Sequence, residues 1–249
     1  MTASSPPAAD AWPRFLPSGD AALSVELGDT IDRRISARVV RLHRHLRASP
    51  LPGMIETLPT FRSLLVRFDP RETSPAALSD ALTAIIGAMS DAPLPSRRWA
   101  IPVCYDAAFG LDIDEVASLA GMTPAQAVEC QASAIYYVYM LGFLPGYAYL
   151  GDTPEPLRLP RRKNPRTRVP PGSLAIATAF ASVYPFESPG GWHIIGRTPV
   201  SFFDAAADEP ALLAPGDEIR FEPIAMDTYE ALHNAGGTRP RLLGQEAAT

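Results

Sequence analysis

The sequence is poor in cysteine and contains no long apolar run. Its 249 residues include two cysteines, Cys104 and Cys130, too few and too widely spaced for a disulfide scaffold or a metal knuckle. No apolar run reaches the ~18 residues of a membrane-spanning helix, so we expect no membrane association. The first residues lack the basic start and apolar stretch of a secretory signal. These absences predict a cytoplasmic protein with reduced thiols.

Positive charge is also scarce, since Lys and Arg number 22 against 27 Asp and Glu, for a net charge of −5. An acidic chain repels the phosphate backbone, which predicts no nucleic-acid partner. Two short predicted helices have the outline of a DNA-reading helix-turn-helix, but residues 123–134 contain no Lys or Arg. His43 and His45 lie two apart on a predicted helix and therefore point to different faces. We predict no metal site.

Proline is abundant instead, at 27 residues, about twice the usual frequency, which indicates many ordered loops and edge strands. In the first part of the chain, apolar periodicity predicts strands and helices in the order β-α-β-β-α-β, typical of a ferredoxin-like α+β domain. The segments are 23–27, 31–46, 55–58, 63–68, a helix capped by Ser74, and 99–105. We place this domain at residues 12–98, after a disordered tail at residues 1–11.

A proline-containing linker at residues 90–98 precedes a second, mainly β region. It opens with helices at 112–120 and 123–132. Short strands with glycine and proline turns then follow at 135–141, 173–177, 192–197 and 218–221, which favours a β-barrel or a sandwich. We place this domain at residues 99–228, followed by a C-terminal tail at residues 229–249.

Three segments contain residue types suited to chemistry. In the first, residues 141–152, the strand period places Tyr147 and Tyr149 on one side, as a pocket wall or as a rigid barrel corner. In the second segment, residues 158–168, six Lys and Arg side chains lie within eleven residues. We interpret Arg158 to Lys163 as solvated, whereas flanking prolines stiffen Arg166 and Arg168, which could pair with a carboxylate or phosphate.

The third segment, residues 187–199, combines a glycine turn with a histidine and an arginine. Backbone N–H groups around Ser188, Gly190 and Gly191 could form an anion-binding nest. His193 could carry a proton near neutral pH, with a surface histidine beside a tryptophan as the alternative. Arg197 is a further candidate for anion binding. The sequence contains neither a GxSxG nucleophile elbow nor a GxxxxGK[ST] phosphate loop.

The blocks GFLPGYAYLGD, PRTRVPPGS and YPFESPGGWHIIGRTP resemble the KipI-like family, which includes the B subunit of the bacterial ATP-dependent 5-oxoprolinase, also called allophanate hydrolase subunit 1. The resemblance implies a ferredoxin-like domain followed by a cyclophilin-like β-barrel. It also implies that the chain works with a homologous C subunit and an A subunit to open 5-oxoproline to glutamate, at the expense of ATP bound on, or shared with, those partners. The chain alone would then be inactive. Alternatives are a non-catalytic module that inhibits a sensor histidine kinase, and a subunit related to allophanate hydrolase or urea amidolyase.

In that interpretation, Arg166, Arg168 and Arg197 bind the substrate carboxylate or a phosphorylated intermediate. The amides of Gly190 and Gly191 stabilise an oxyanion, His193 carries the proton, and Tyr147 and Tyr149 form the pocket walls. One stretch departs from the family pattern. The family commonly has Gly-x-Gln-Thr-Gly-Ile where this chain has Thr-Ala-Phe-Ala-Ser-Val at residues 178–183. If this segment lines the pocket, Phe180 and Ala181 predict a more apolar ligand than 5-oxoproline.

Overall fold

The structure, a computed structural model, describes residues 12–247, with side chains described to residue 244. The chain divides into two compact units, with the division between Leu94 and Pro95. The predicted tail at residues 1–11 lies outside the described residues. None of the helices in the described part of the chain is long and apolar enough to cross a bilayer.

The first unit is a four-stranded antiparallel sheet with two helices. The sheet order is β1-β2-β4-β3. The Asp32 carboxylate accepts from two amides at the start of the first helix, and the Ser74 hydroxyl caps the second, where Pro75 is the first helical residue. The elements are β1 (Arg14–Pro17), β2 (Ala22–Glu26), α1 (Arg33–Ala48), β3 (Met54–Pro59), β4 (Ser63–Phe68) and α2 (Pro75–Ala88).

One strand of the predicted ferredoxin-like order lies elsewhere. The strand predicted at 99–105 is β5 (Pro95–Val103), which pairs with strands of the second unit and packs Ile101 and Val103 into that unit's core. The edge of the first sheet beside β2 is occupied by β1, which the sequence analysis missed. An edge position tolerates Pro17, because an outward-facing backbone needs no N–H partner.

The second unit is built on a large sheet and a small one. Its remaining elements are α3 (Ile113–Leu119), α4 (Pro124–Ser133), β6 (Tyr136–Leu141), β7 (Ala148–Gly151), β8 (Arg166–Val169), β9 (Ser173–Ala177), β10 (Phe180–Val183), β11 (Ser188–Gly190), β12 (His193–Arg197), β13 (Glu218–Pro223), α5 (Met226–Asn234) and β14 (Arg241–Ala247). The large sheet has eight strands in the order β12-β9-β10-β7-β6-β13-β5-β14, and β8 and β11 form the separate two-stranded sheet. Two short helices follow β5, and a third lies between β13 and β14.

The prediction of a C-terminal tail at residues 229–249 is wrong for most of that range. Residues 226–234 form α5, and β14 pairs antiparallel with β5 along its length. A strand pair so distant in sequence leaves no local signal, which is why the tail prediction failed.

Both faces of the large sheet are covered around β9 and β12. Ile176 and Ile195 belong to one core, which helices α3 and α4 cover, whereas Ala175 and Ile194 belong to a second cluster that includes Val169 of β8. Strands buried on both faces read as continuous apolar runs instead of alternating ones. The predicted mixed α+β, sheet-rich class is confirmed. The ferredoxin-like and cyclophilin-like descriptions stay predictions.

Candidate functional site

A buried carboxylate, Asp112, joins the start of α3 to strands β8 and β12, which carry four of the predicted site residues. It lies immediately before α3, with a side chain only 4% exposed. It accepts hydrogen bonds from Arg162 (2.7 Å), from both Nη atoms of Arg166 (2.8 and 2.6 Å) and from the backbone amide of Ile194 (2.7 Å). Four donors fill the acceptor capacity of a carboxylate. The prediction that Arg162 is solvated is wrong, because its side chain is 25% exposed and pairs with Asp112. Asp112 itself is predicted only as the start of a helix.

Glu115 and His193 extend this group outward. Arg162 Nη1 also donates to Glu115 Oε2 at 2.6 Å, and the Glu115 side chain is 51% exposed. His193 is buried, with Nε2 3.0 Å from the carbonyl oxygen of Pro160 and Nδ1 3.9 Å from Glu115 Oε2. Within the described residues, His193 Nδ1 and Arg162 Nε have no hydrogen-bond partner. We call the five side chains of Asp112, Glu115, Arg162, Arg166 and His193 the Asp112 cluster.

Arg166 and Arg168 do not converge on one site. They lie two residues apart on β8, yet Arg166 turns to Asp112 whereas Arg168 pairs with Glu187 at 3.0 and 2.9 Å. The Arg168 side chain is 76% exposed. Because the two guanidinium groups have different carboxylate partners, the structure does not bring them together on one anion, and their role in substrate binding stays a prediction.

Arg197 lies in a third environment. Its guanidinium carbon is 4.7 Å from the centroid of the Phe109 ring, and its backbone bridges to Cys104. The phenol of Tyr229, on helix α5, also interacts with Arg197. Burial raises the pKa of Tyr229, and the nearby charge of Arg197 opposes that rise. Arg197 is therefore held by aromatic partners that the sequence analysis did not identify, in a group separate from the Asp112 cluster.

Tyr147 and Tyr149 lie on the same side, with ring centroids 5.3 Å apart, and both rings contact Trp192 at 6.2 Å. They differ in exposure. Tyr147 is 2% exposed and burial raises its pKa strongly, whereas Tyr149 is partly exposed. Only Tyr149 of the pair can offer its ring to a ligand without a rearrangement.

The predicted anion nest around Ser188, Gly190 and Gly191 is largely strand. Ser188 and Gly190 belong to β11, where they pair with Val169 and Arg166 of β8, and the Gly191 carbonyl accepts from the backbone amide of Arg162 at 2.8 Å. A side chain at Gly190 would collide with the hydroxyl of Tyr184, so close packing explains this glycine. The turn thus packs against Arg162 and Arg166, and its role as an anion-binding nest stays a prediction.

Comparison with known proteins establishes the family. The family described as "Carboxyltransferase domain, subdomain C and D" matches residues 13–213, which is most of the chain. The chain belongs to this family.

Two relatives carry the resemblance further. The B subunit of the 5-oxoprolinase of Bacillus subtilis (strain 168) is 34% identical over 224 residues, covering 86% of this chain and 93% of that protein. The protein of the same name from Escherichia coli O157:H7 is 40% identical over 211 residues, covering 82% and 93%. The resemblance seen in the three sequence blocks is confirmed.

The fold has a counterpart in a much larger protein. The crystal structure of the Kluyveromyces lactis urea amidolyase superposes with a TM-score of 0.77 at 22% identity, over 98% of this chain. The chain spans 17% of the length of that protein. At this identity the likeness shows the fold alone.

Within this carboxyltransferase-family chain, the unusual segment 178–183 forms strand β10 and the turn before it. Phe180 packs edge-on against Tyr139 and Tyr149, with ring centroids 6.4 Å apart in each pair. Ala181 points to the opposite face and is fully buried in the core beneath α3 and α4. The two residues therefore cannot line one pocket together, and only Phe180 can alter the aromatic surface beside Tyr149.

The described residues contain no group of three or more His, Cys, Asp or Glu side chains placed to hold a metal ion. Three cations of the basic segment already pair with carboxylates, namely Arg162, Arg166 and Arg168. This arrangement fits a triphosphate poorly, because each guanidinium would first have to leave its partner.

Proposed function

We propose that this chain is the B subunit of an ATP-dependent 5-oxoprolinase, which converts 5-oxoproline, ATP and water to glutamate, ADP and phosphate. The observation that carries the proposal is the match to two 5-oxoprolinase B subunits over 93% of their lengths, at 34% and 40% identity. The proposal includes the finer fold description, with a ferredoxin-like first unit and a cyclophilin-like barrel in the second. It also includes a homologous C subunit and an A subunit as partners.

The proposed reaction requires both an activated carbonyl and donors for negative charge. A lactam amide is stabilised by resonance and resists water, so transfer of a phosphoryl group to its oxygen makes a better electrophile. Negative charge that develops during ring opening then needs fixed donors. This chain offers preorganised guanidinium groups in the Asp112 cluster, but the pairing of its arginines disfavours a triphosphate site. We therefore place the ATP site on the partner subunits, or shared with them.

Reconstitution tests the proposal. The purified chain, the partner subunits without it, and the complete set would be assayed with 5-oxoproline and ATP for release of ADP and glutamate. We expect turnover only in the complete set. Turnover by the chain alone would contradict the division of labour, and a complete set without turnover would contradict the proposed reaction.

A second candidate is a non-catalytic module that docks on a sensor histidine kinase. The observation that favours it is the exposure of two large aromatic side chains, Phe143 at 61% and Phe186 at 43%, while His193 is closed off at 3%. A binding protein would expose apolar contact residues in this way. Inhibition of kinase autophosphorylation by the chain, abolished by Phe143→Ser, would support this candidate over the first.

A further inference from the structure

Glu115 occupies a position in the Asp112 cluster that a ligand carboxylate could take. Its Oε2 atom lies 2.6 Å from Arg162 Nη1, within hydrogen-bond distance, and 3.9 Å from His193 Nδ1, beyond it. Asp112 is 4% exposed and has all its acceptor sites filled, whereas Glu115 is 51% exposed. Of the two carboxylates on Arg162, Glu115 is therefore the one that can swing into solvent and be replaced.

The hydrogen bond to Pro160 fixes what His193 can offer. A carbonyl oxygen only accepts, so the Nε2 atom 3.0 Å away carries the proton. In the neutral ring, Nδ1 is then an acceptor with a free lone pair. It is buried, has no partner within the described residues, and faces a carboxylate that has no proton to donate. A buried acceptor without a donor costs free energy, and a ligand N–H would remove that cost.

We propose that Arg162 and His193 form a binding site for a small carboxylate that carries an N–H group on the neighbouring carbon, and that Glu115 fills the carboxylate position in the empty site. The ligand carboxylate displaces Glu115 from Arg162 Nη1, and the ligand N–H donates to His193 Nδ1. With Glu115 displaced, a ligand oxygen at the position of Oε2 lies 3.9 Å from Nδ1, a separation that an N–H group on the neighbouring carbon can span by donating to Nδ1 from the side.

For the ligand identity the inference rests on the proposed function. In 5-oxoproline the ring N–H and the carboxylate are attached to the same carbon atom, so one molecule supplies both groups. Asp112 keeps its role throughout, because its bonds to Arg162 and Arg166 hold the guanidinium plane in place while Glu115 leaves. Glu115 is thus a competitor for the site, and Asp112 is a positioning residue.

Binding to the full-length chain and to the reconstituted complex tests the site with three probes. These are 5-oxoproline, acetate, which has only the carboxylate, and 2-pyrrolidinone, which has only the lactam N–H. We expect 5-oxoproline to bind at least about tenfold more tightly than acetate, because it also satisfies the buried acceptor. 2-Pyrrolidinone should bind more weakly than 5-oxoproline by a similar factor.

Two variants and one control locate the site. Glu115→Gln keeps the shape but weakens the internal competitor, so affinity for 5-oxoproline and acetate should rise about fivefold. Arg162→Lys keeps the charge but loses the planar fork, so both affinities should fall about tenfold. Glu187→Gln, which breaks the exposed pair with Arg168, should change neither. If Arg162→Lys fails to fold, the contrast between Glu115→Gln and Glu187→Gln still decides.

Three results would overturn the site. These are equal affinities for 5-oxoproline and acetate, equal effects of Glu115→Gln and Glu187→Gln, and no binding of any probe to either the chain or the complex. A nuclear magnetic resonance shift of the His193 imidazole on adding 5-oxoproline, but not acetate, would support it, and the spectrum is simple because the chain has four histidines. Turnover without these binding effects would contradict the binding site but not the proposed function. Binding with these effects but without turnover would contradict the proposed function but not the binding site.

Discussion

The substitution Asp112→Asn gives the sharpest test of how the second unit is held together. The amide is nearly isosteric with the carboxylate but has no charge, and its NH₂ group would point at donors. Asp112 now accepts three hydrogen bonds from two guanidinium groups and one from the amide of Ile194. The substitution leaves both arginines, whose side chains are 24–25% exposed, without their buried partner.

Removing one partner of a buried charge pair costs about 3–5 kcal/mol, and we take the lower figure, about 3 kcal/mol, because both arginines retain some contact with water. For a domain of this size, that loss lowers the melting temperature by about 6–12 °C. Urea unfolding and a thermal melt of the full-length chain measure the two quantities. The exposed pair of Arg168 and Glu187 supplies the control, and Glu187→Gln should cost less than about 1 kcal/mol.

The same two variants can be compared at different salt concentrations. The small effect of Glu187→Gln should shrink further at high ionic strength, because solvent screens an exposed pair, whereas the effect of Asp112→Asn should persist. If Asp112→Asn costs no more than Glu187→Gln, the buried hydrogen bonds contribute no net stability and the reasoning from burial is wrong.

Three further predictions concern other parts of the chain. Burial, aided by two arginines of the same helix, lowers the pKa of His43 from 6.5 to about 4. The contribution of His43 to the free energy of unfolding is therefore full above pH 6.5 and falls as the pH drops towards 4. The urea midpoint should fall less over this pH range for His43→Gln than for the unchanged chain. Gly151→Ala should lower the free energy of unfolding by about 1–3 kcal/mol, because the new methyl group meets the buried ring of Tyr139. Gly87→Ala, in open space on a helix, should raise it by about 0.5–1 kcal/mol, and chemical denaturation measures both changes. Phe180→Gln should loosen the ring contact with Tyr149 but leave the affinity for 5-oxoproline unchanged in the assembled complex. The reason is that Phe180 packs with Ile194 on one face of the sheet, whereas His193, opposite Ile176, belongs to the other face; a changed affinity in calorimetry would contradict this placement.

Elements with local signals were predictable from the sequence. The capping serine at 74 with proline at 75 marks the start of α2, and alternation over residues 63–68 matches β4. The strands that sequence reasoning missed are short or distant from their partners. β8, β10 and β11 have three or four residues, too few to show a period, and β14 is an edge strand whose partner β5 lies far back in the chain.

The candidate site was predictable as a set of residue types but not as a set of pairs. The shared side of Tyr147 and Tyr149 follows from the strand period, which is local. The partners of Asp112 lie 50, 54 and 82 residues away, so no spacing in the sequence distinguishes it from any other residue at a helix start. Because their pairing with Asp112 cannot be read from the sequence, Arg162 and Arg166 resemble unpaired cations available to an anion. Their neutralisation by buried or nearby carboxylates becomes visible only in three dimensions.

The pairing of β5 determines the order in which the two units can fold while the chain is being synthesised. The first unit closes with contacts among its own residues, but β5 joins β13 in parallel, with Arg98 opposite Glu218, 120 residues later. At synthesis rates of about 5–20 residues per second, β5 waits roughly 6–24 seconds for this neighbour, and longer for β14 on its other edge. During that interval the apolar side chains Ile101 and Val103 are made but have no sheet to enter. Nascent chains stalled before β13 should therefore bind chaperones at this segment, whereas the first unit should already resist proteases.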